Sequence, residues 1–306
     1  MSIPLEQLLV LWRVKYLGES AALGAASLWA LSSLVYDSVG TKIAPLHLNL
    51  FKGAIAIILL GLTLLVRGEL FPPMTATNLC LLLLSGAIGI GLGDTAFFAA
   101  LNCLGARRAL LMETLAPPMA AILALIFLQE NLKASAWGGI LLTVIGVAWV
   151  VTERVPPVAN RPTHLHKGII FGLIAAISLA VGGILARAAL INTSISPVWA
   201  ALLRIGAGSI SLLPFLRLQK SHFAGSIPLR VFAGIGLTAF MGTYLGIWLQ
   251  QTAIKFTQVG IALTLTNTAP LFILPISAFS REKPSIRAIL GAGIAILGIA
   301  AIFDLS

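Results

Sequence analysis

Long apolar runs, punctuated by Gly, Pro and isolated charges, make up most of the chain. Stretches of helix length, such as Leu79–Gly93 and Ile261–Ser280, carry no charged residue. A helix crossing the hydrocarbon of a bilayer needs about 20 apolar residues, or as few as about 17. Measured against that length, the pattern predicts ten helices, over 18–39, 46–66, 78–100, 106–127, 134–151, 168–189, 197–217, 230–251, 258–279 and 286–303. Most connections are short; the longest, TERVPPVANRPTHLHK at 152–167, holds prolines and polar residues that stop helix continuation. The predicted organisation is an interfacial segment at 1–17, five helices in 18–151, the linker 152–167, and five helices in 168–303. The first residues do not read as a signal peptide, because Glu6 stands where a basic region belongs and the apolar run Leu8–Trp12 is too short.

Composition agrees with the pattern. The 306 residues are 58% hydrophobic and 10% charged, with a mean hydropathy of +1.01, whereas a soluble domain carries roughly 25% charged residues. The expected class is an all-α integral membrane protein whose outer face meets the lipid bilayer. The net charge of +10 is spread over single basic residues between apolar blocks. That is the pattern of helix-end anchors, and it excludes a nucleic-acid partner. Cys80 and Cys103 form neither a disulfide framework nor a metal-ligand spacing. No GxSxG, HExxH or Cys/His cluster occurs; His164 and His166 fall in the linker, His222 in a loop, and His47 stands alone. No enzyme, cofactor or metal is therefore expected. The absence of a GxxxxGK[ST] phosphate loop argues against ATP-driven transport by this chain.

The two halves repeat each other. Gly89xxxGly93 recurs 153 residues later as Gly242xxxGly246, and Ala116-Pro117 recurs at the same offset as Ala269-Pro270. At an offset of 152, Lys52 matches Arg204, Gly139 matches Gly291, Gly146 matches Gly298, and Glu130 matches Glu282. Five helices is an odd number, so the second copy enters the membrane from the opposite side. Inverted repeats of this kind are typical of secondary transporters, with a substrate site between the halves.

The segments GDTAFFAALNCLGARRALLMETLAPPMAAILALIFLQENLKASAWGGILLTVIGV and GTYLGIWLQQTAIKFTQVGIALTLTNTAPLFILPISAFSREKPSIRAILGAGIAILGIAAIF share a pattern. Each has a proline in the fourth helix of its half, a Glu-containing turn after it, and a Gly-rich fifth helix. In this they resemble the EamA-type repeat of the drug/metabolite transporter superfamily. The basic residue early in the second helix of each half also fits, although Lys52 departs from the commoner arginine. The resemblance runs from about residue 18 to 303. It implies ten helices, cytoplasmic termini, and export or exchange of small metabolites, without naming a substrate.

Charged groups inside a membrane span cost about 2.5 to 3.5 kcal/mol at its centre and are functional candidates by default. Lys52, Asp94 and Glu113 are those candidates in the first half, with Asp37 nearer a helix end; alternating helix direction places them in one half of the bilayer. The second half offers Arg187, Arg204, Gln250, Gln251, Thr266 and Asn267 on the opposite side. Substrate binding or proton coupling is expected of Lys52, Asp94, Glu113, Arg204, Gln251 and Asn267; a static Lys52–carboxylate pair is the alternative. Trp29, Tyr36, Tyr244 and Trp248 are candidates for lining the site. Pro117 and Pro270 free backbone carbonyls and are expected to act as hinges, with a packing kink as the alternative. Gly89, Gly93, Gly242 and Gly246 are expected to let helices pack closely.

The reading is a non-ATP carrier of small metabolites such as amino acids, with protons as the coupling ion. A non-transporting membrane scaffold is the alternative. The sequence sets no oligomeric state. The expected location is the plasma (inner) membrane. A naive count of basic residues favours external termini, but the difference nearly vanishes once Arg107, Arg108, Arg154, Arg161 and Lys167, at a helix start or in the linker and its edge, are set aside. Orientation then follows the resemblance. A reporter fused after Ser306 should be active only if it works in the cytoplasm; activity confined to the periplasm reverses the topology.

Overall fold

The computed structural model of the chain describes residues 16–39, 45–69, 72–104, 106–152, 165–216, 229–273 and 285–303. Every regular element among them is helical, and the helical runs group into α1 to α10. The single-piece helices are α1 (Leu17–Val39), α2 (Pro45–Arg67), α5 (Ala134–Val151), α6 (Leu165–Leu190), α7 (Pro197–Leu216) and α10 (Ile286–Phe303). The run α3 joins Ala76–Gly86, a wide π-helical stretch Ala87–Asp94, and Thr95–Leu104. Its repeat partner α8 joins Leu229–Thr238, a second π stretch Ala239–Leu245, and Gly246–Phe256. The run α4 consists of Ala106–Glu113 and Ala116–Phe127, and α9 is the apolar run Val259–Ile273.

Eight of these, α2 to α8 and α10, are long and apolar enough to cross a membrane. Ten were expected. The 23 residues of α1 are long enough, but its Ser, Gly and Glu19 dilute the apolar run. Among the described residues α9 is shorter than its expected range 258–279. Most other limits fall within a few residues of the hydropathy pattern. The interfacial segment, apart from its last two residues, and the linker core 153–164 lie outside the described residues, as does Glu282.

The packing is exchanged between halves. α3 packs against α6 and α7, while α8 packs against α1 and α2 in the corresponding way; α4 lies on α6 as α9 lies on α1, and α4 meets α9, α2 meets α7, and α5 meets α10. Exchanging each helix for its repeat partner maps this set onto itself, so the duplication is visible as a twofold relation.

In lipid, apolar surface gains nothing by leaving its surroundings, and association relies on close backbone approach and dispersion. Glycines supply that approach. A Cβ on Gly139 would stand 2.9 Å from the Gly298 carbonyl oxygen, and one on Gly291 would stand 3.1 Å from that of Gly146. These are the four repeat-matched glycines, and they set the α5–α10 contact. Replacing Gly146, whose added Cβ would collide with the backbone of Ala295, should destabilise the protein. Gly146→Val should cost about 1–3 kcal/mol. Gly138→Val, at a position with open space around it, should leave the melting temperature in detergent unchanged. Equal melting for the two variants would sink the close-packing account.

Candidate functional site

Residues 87–94 wind as a π-helix, and residues 239–245 do the same 152 positions later. Such stretches are uncommon and recur at functional sites, because the wider turn re-aims everything after it. Here the first one ends on Asp94. Thr95 Oγ1 donates to the Gly91 carbonyl oxygen at 2.6 Å, which satisfies one of the acceptors the altered winding leaves.

Around Asp94 the structure gathers charges from three further helices. Lys52 of α2 and Arg204 of α7 stand within electrostatic reach of its carboxylate, and so does Glu113 of α4. Asn49 of α2 lies beside it, with its side-chain amide turned to the carboxylate. Alternation of helix direction assigned Arg204 to the side opposite the acids. It joins them because it lies a full two turns inside α7, towards the middle of the bundle.

The seat of Arg204 is built from glycines. Its backbone rests against Gly86, where any Cβ would collide with it. Its Nη2 is 3.2 Å from the point a Gly89 Cβ would occupy, and the Cα of Gly182 bounds the same wall. The residue is 2% exposed, yet Nε and Nη1 have no partner among the described residues. Gln251 of α8 is 0% exposed, and both ends of its amide lack a partner among the described residues. Buried polar groups are nearly always hydrogen-bonded, so such groups mark where water or a ligand supplies the missing partners.

Other candidates are committed elsewhere. Trp29 Nε1 donates to the Gly242 carbonyl oxygen at 2.8 Å, and its indole fills the space over Gly246. Trp29 thus braces the second π stretch; at the first one the space against Gly89 is bounded instead by Gly182 and the Arg204 guanidinium. Gly93 faces Ser178, and Gly242 faces Ser32. Tyr244 shares a 2.7 Å hydrogen bond with Thr63 of α2 and lies 5.9 Å, centroid to centroid, from Trp248. Those two rings line the α2–α8 seam. Asn267 Nδ2 is used within its own turn, donating to the Leu263 carbonyl oxygen at 2.9 Å, and Thr266 Oγ1 donates to the same oxygen at 3.1 Å. The side chains of Tyr36 and Asp37 lie outside the described residues.

Pro117 does not kink a continuous helix. The chain turns at Thr114–Leu115, helix resumes at Ala116, and Pro117 sits in its first turn. The same break recurs at Asn267–Thr268 before Pro270. A proline cannot donate to the carbonyl four residues back and crowds it, so the helix restarts instead. Glu113 is therefore the last residue before a break.

Arg187 is absent from the charged site. Its Nε donates to Glu130 Oε1 at 2.5 Å in a buried ion pair. No property of the sequence coupled these two positions; the only signal was the recurrence of Glu130 in the second half. Asn49 was likewise missed, because an amide near a helix start reads as an end residue until Asp94 is placed beside it.

The EamA-like transporter family matches residues 16–152 and again 166–304. The "Uncharacterized transporter YyaM" of Bacillus subtilis (strain 168) is 26% identical over 217 residues, covering 70% of each chain. A solved structure, titled only "Crystal structure of protein", superposes with a TM-score of 0.78 over 95% of this chain and 98% of that one, at 16% identity. That last likeness concerns the fold alone. With both halves matched in turn, and with charges gathered where the halves meet, the chain belongs to the EamA-like transporter family and is a membrane transporter rather than an enzyme.

Proposed function

We propose that this protein is a secondary carrier which crosses the plasma membrane ten times and moves a small zwitterionic metabolite, such as an amino acid, by alternating access. Its two halves are inverted copies that rock about the site between them, and both termini are cytoplasmic. The observation that carries this reading is the buried Arg204 guanidinium, with two nitrogens unpartnered among the described residues, in the same electrostatic neighbourhood as Asp94 and Glu113. A static packing pair would use those nitrogens. A substrate carboxylate would supply acceptors to Arg204, and a substrate ammonium would face the acids. Gln251 and Asn49 offer further neutral contacts, and Lys52 balances the acids when no substrate is present.

Energy comes from ion or substrate gradients. Protons are the coupling ion, carried by Asp94 or Glu113, whose carboxyls exchange a proton with one side and then the other as the halves turn.

Two outcomes are expected of purified protein in proteoliposomes. Arg204→Gln should lower the uptake of a zwitterionic substrate about ten- to a hundredfold, the effect of losing a charge-assisted hydrogen bond, with the melting temperature kept. If flux of every small solute is unsaturable in the wild-type protein, the scaffold reading replaces the carrier. A pH gradient should drive uptake, and Glu113→Gln or Asp94→Asn should abolish that drive while leaving substrate counterflow. Retention of pH-driven uptake by both variants would remove the proton from the mechanism.

A further inference from the structure

At the end of the bundle where α1 begins, the turns and helix ends are tied by a second polar network, separate from the charged site. Its centre is the Glu130–Arg187 pair, both residues 8% exposed. Glu130 stands just after α4, where the chain turns through Gln129 at a φ of 55°. One carboxylate oxygen takes the Arg187 guanidinium; the other accepts the Val259 backbone N–H at 3.2 Å, at the start of α9. Arg187 Nη1 donates to the carbonyl oxygens of Ile254 at 2.8 Å and Lys255 at 2.6 Å, in the last turn of α8. One carboxylate and one guanidinium thus bind α4 of the first half to α6, α8 and α9 of the second.

Three more bonds hold the same corner between α8 and α9. Lys255 Nζ donates to the Ile195 carbonyl oxygen at 2.6 Å, and Gln258 Nε2 donates to that of Asn131 at 3.2 Å. Thr257 Oγ1 donates to Glu19 Oε1 at 2.7 Å. Residues 254–259 are therefore gripped from α1, from the turn after α4, and from the turn after α6. The bonds run mostly from side chain to backbone, so they depend on the corner's position and break if it moves.

The network is one-sided by sequence. Glu130 recurs as Glu282, but at the two repeat offsets Arg187 corresponds to Val35 and Leu34. The other end has no guanidinium at the matching place. Buried ion pairs add little net stability compared with apolar packing, and their best-attested use is to select one arrangement over another.

We propose that Glu130 and Arg187 form the gate latch of this end: the pair is closed while the site faces the opposite side, and it must open for the site to face this one. The proposal rests on the alternating-access reading above. It gives the carrier a preferred resting side, because the positions matching Arg187 in the first half are apolar.

Hydrogen exchange of the full chain in nanodiscs, followed by mass spectrometry, tests it without any substrate. Glu130→Gln removes the charge from the pair, and Lys255→Ala removes the bond to Ile195, with its contacts to Phe256 and Glu69, from a side chain at the network's edge. Both should speed exchange at 187–199 and 254–266, by about tenfold or more for Glu130→Gln. Both should also slow exchange at the opposite end, in Thr95–Leu104 and Leu229–Thr238, as the population shifts towards closure there. That reciprocal protection separates a latch from a brace. Faster exchange confined to the corner, or no change anywhere, overturns the latch while leaving the carrier reading to stand or fall on flux. If Glu130→Gln does not fold, Lys255→Ala gives the same decision with a smaller shift.

Discussion

The close approach of backbones at glycine is the constraint from which most of this structure follows. In a bilayer the lipid chains are as apolar as leucine, so helices come together only where their shapes allow contact at backbone distance. Gly89 and Gly182 meet almost backbone to backbone, and Gly86 admits the backbone of Arg204. Because α3 and α7 approach this closely, the Arg204 side chain has nowhere to go except into the interior beside Asp94. Bulkier residues on that wall would move the helices apart and return the guanidinium to an interface. The functional charge cluster is thus a consequence of small residues as much as of charged ones.

The two π-helical stretches show how one architecture serves two purposes. They occur at equivalent places in α3 and α8, so the duplication carried the winding itself. Against the second, an indole fills the gap and donates to a freed carbonyl. Against the first, the gap is bounded by Gly182 and an arginine side chain. Braced on one side and left on the other with donors unpartnered among the described residues, the pair gives the bundle a rigid seam and a polar one. The polar seam can change its partners at low cost, which is a requirement for a site that binds and releases.

The chain also separates two kinds of buried charge. Glu130 and Arg187 satisfy each other and three backbone groups, so their energies depend on geometry and little on what else is present. Among the described residues Arg204 keeps two nitrogens unsatisfied, as Gln251 keeps its amide. Leaving such groups unpaired in a dry interior costs roughly 1–3 kcal/mol each, and a ligand that pairs with them recovers that energy. Satisfied charge holds the bundle in one position, while unsatisfied charge invites something in.

By itself the sequence determined the membrane class, the helix limits to within a few residues, and the twofold repeat, since each is written in local hydropathy and in fixed offsets. It also marked Asp94, Glu113, Lys52 and Arg204, because charge within an apolar run is conspicuous wherever the helix goes. It did not show what depends on distance between helices. Trp29, Asn267 and Thr266 donate to backbone carbonyls, Pro117 and Pro270 stand where helices restart, and Arg187 pairs with Glu130 at the helix ends while Arg204, two turns deeper, joins Asp94. Only the tertiary structure decided these, for a physical reason: a hydrogen bond or ion pair is satisfied within about 3 Å, and periodicity says which face a residue is on but not what stands opposite. The charged site and the Glu130–Arg187 network are both made of residues far apart in sequence, and the folded glycine contacts are what bring them within that range.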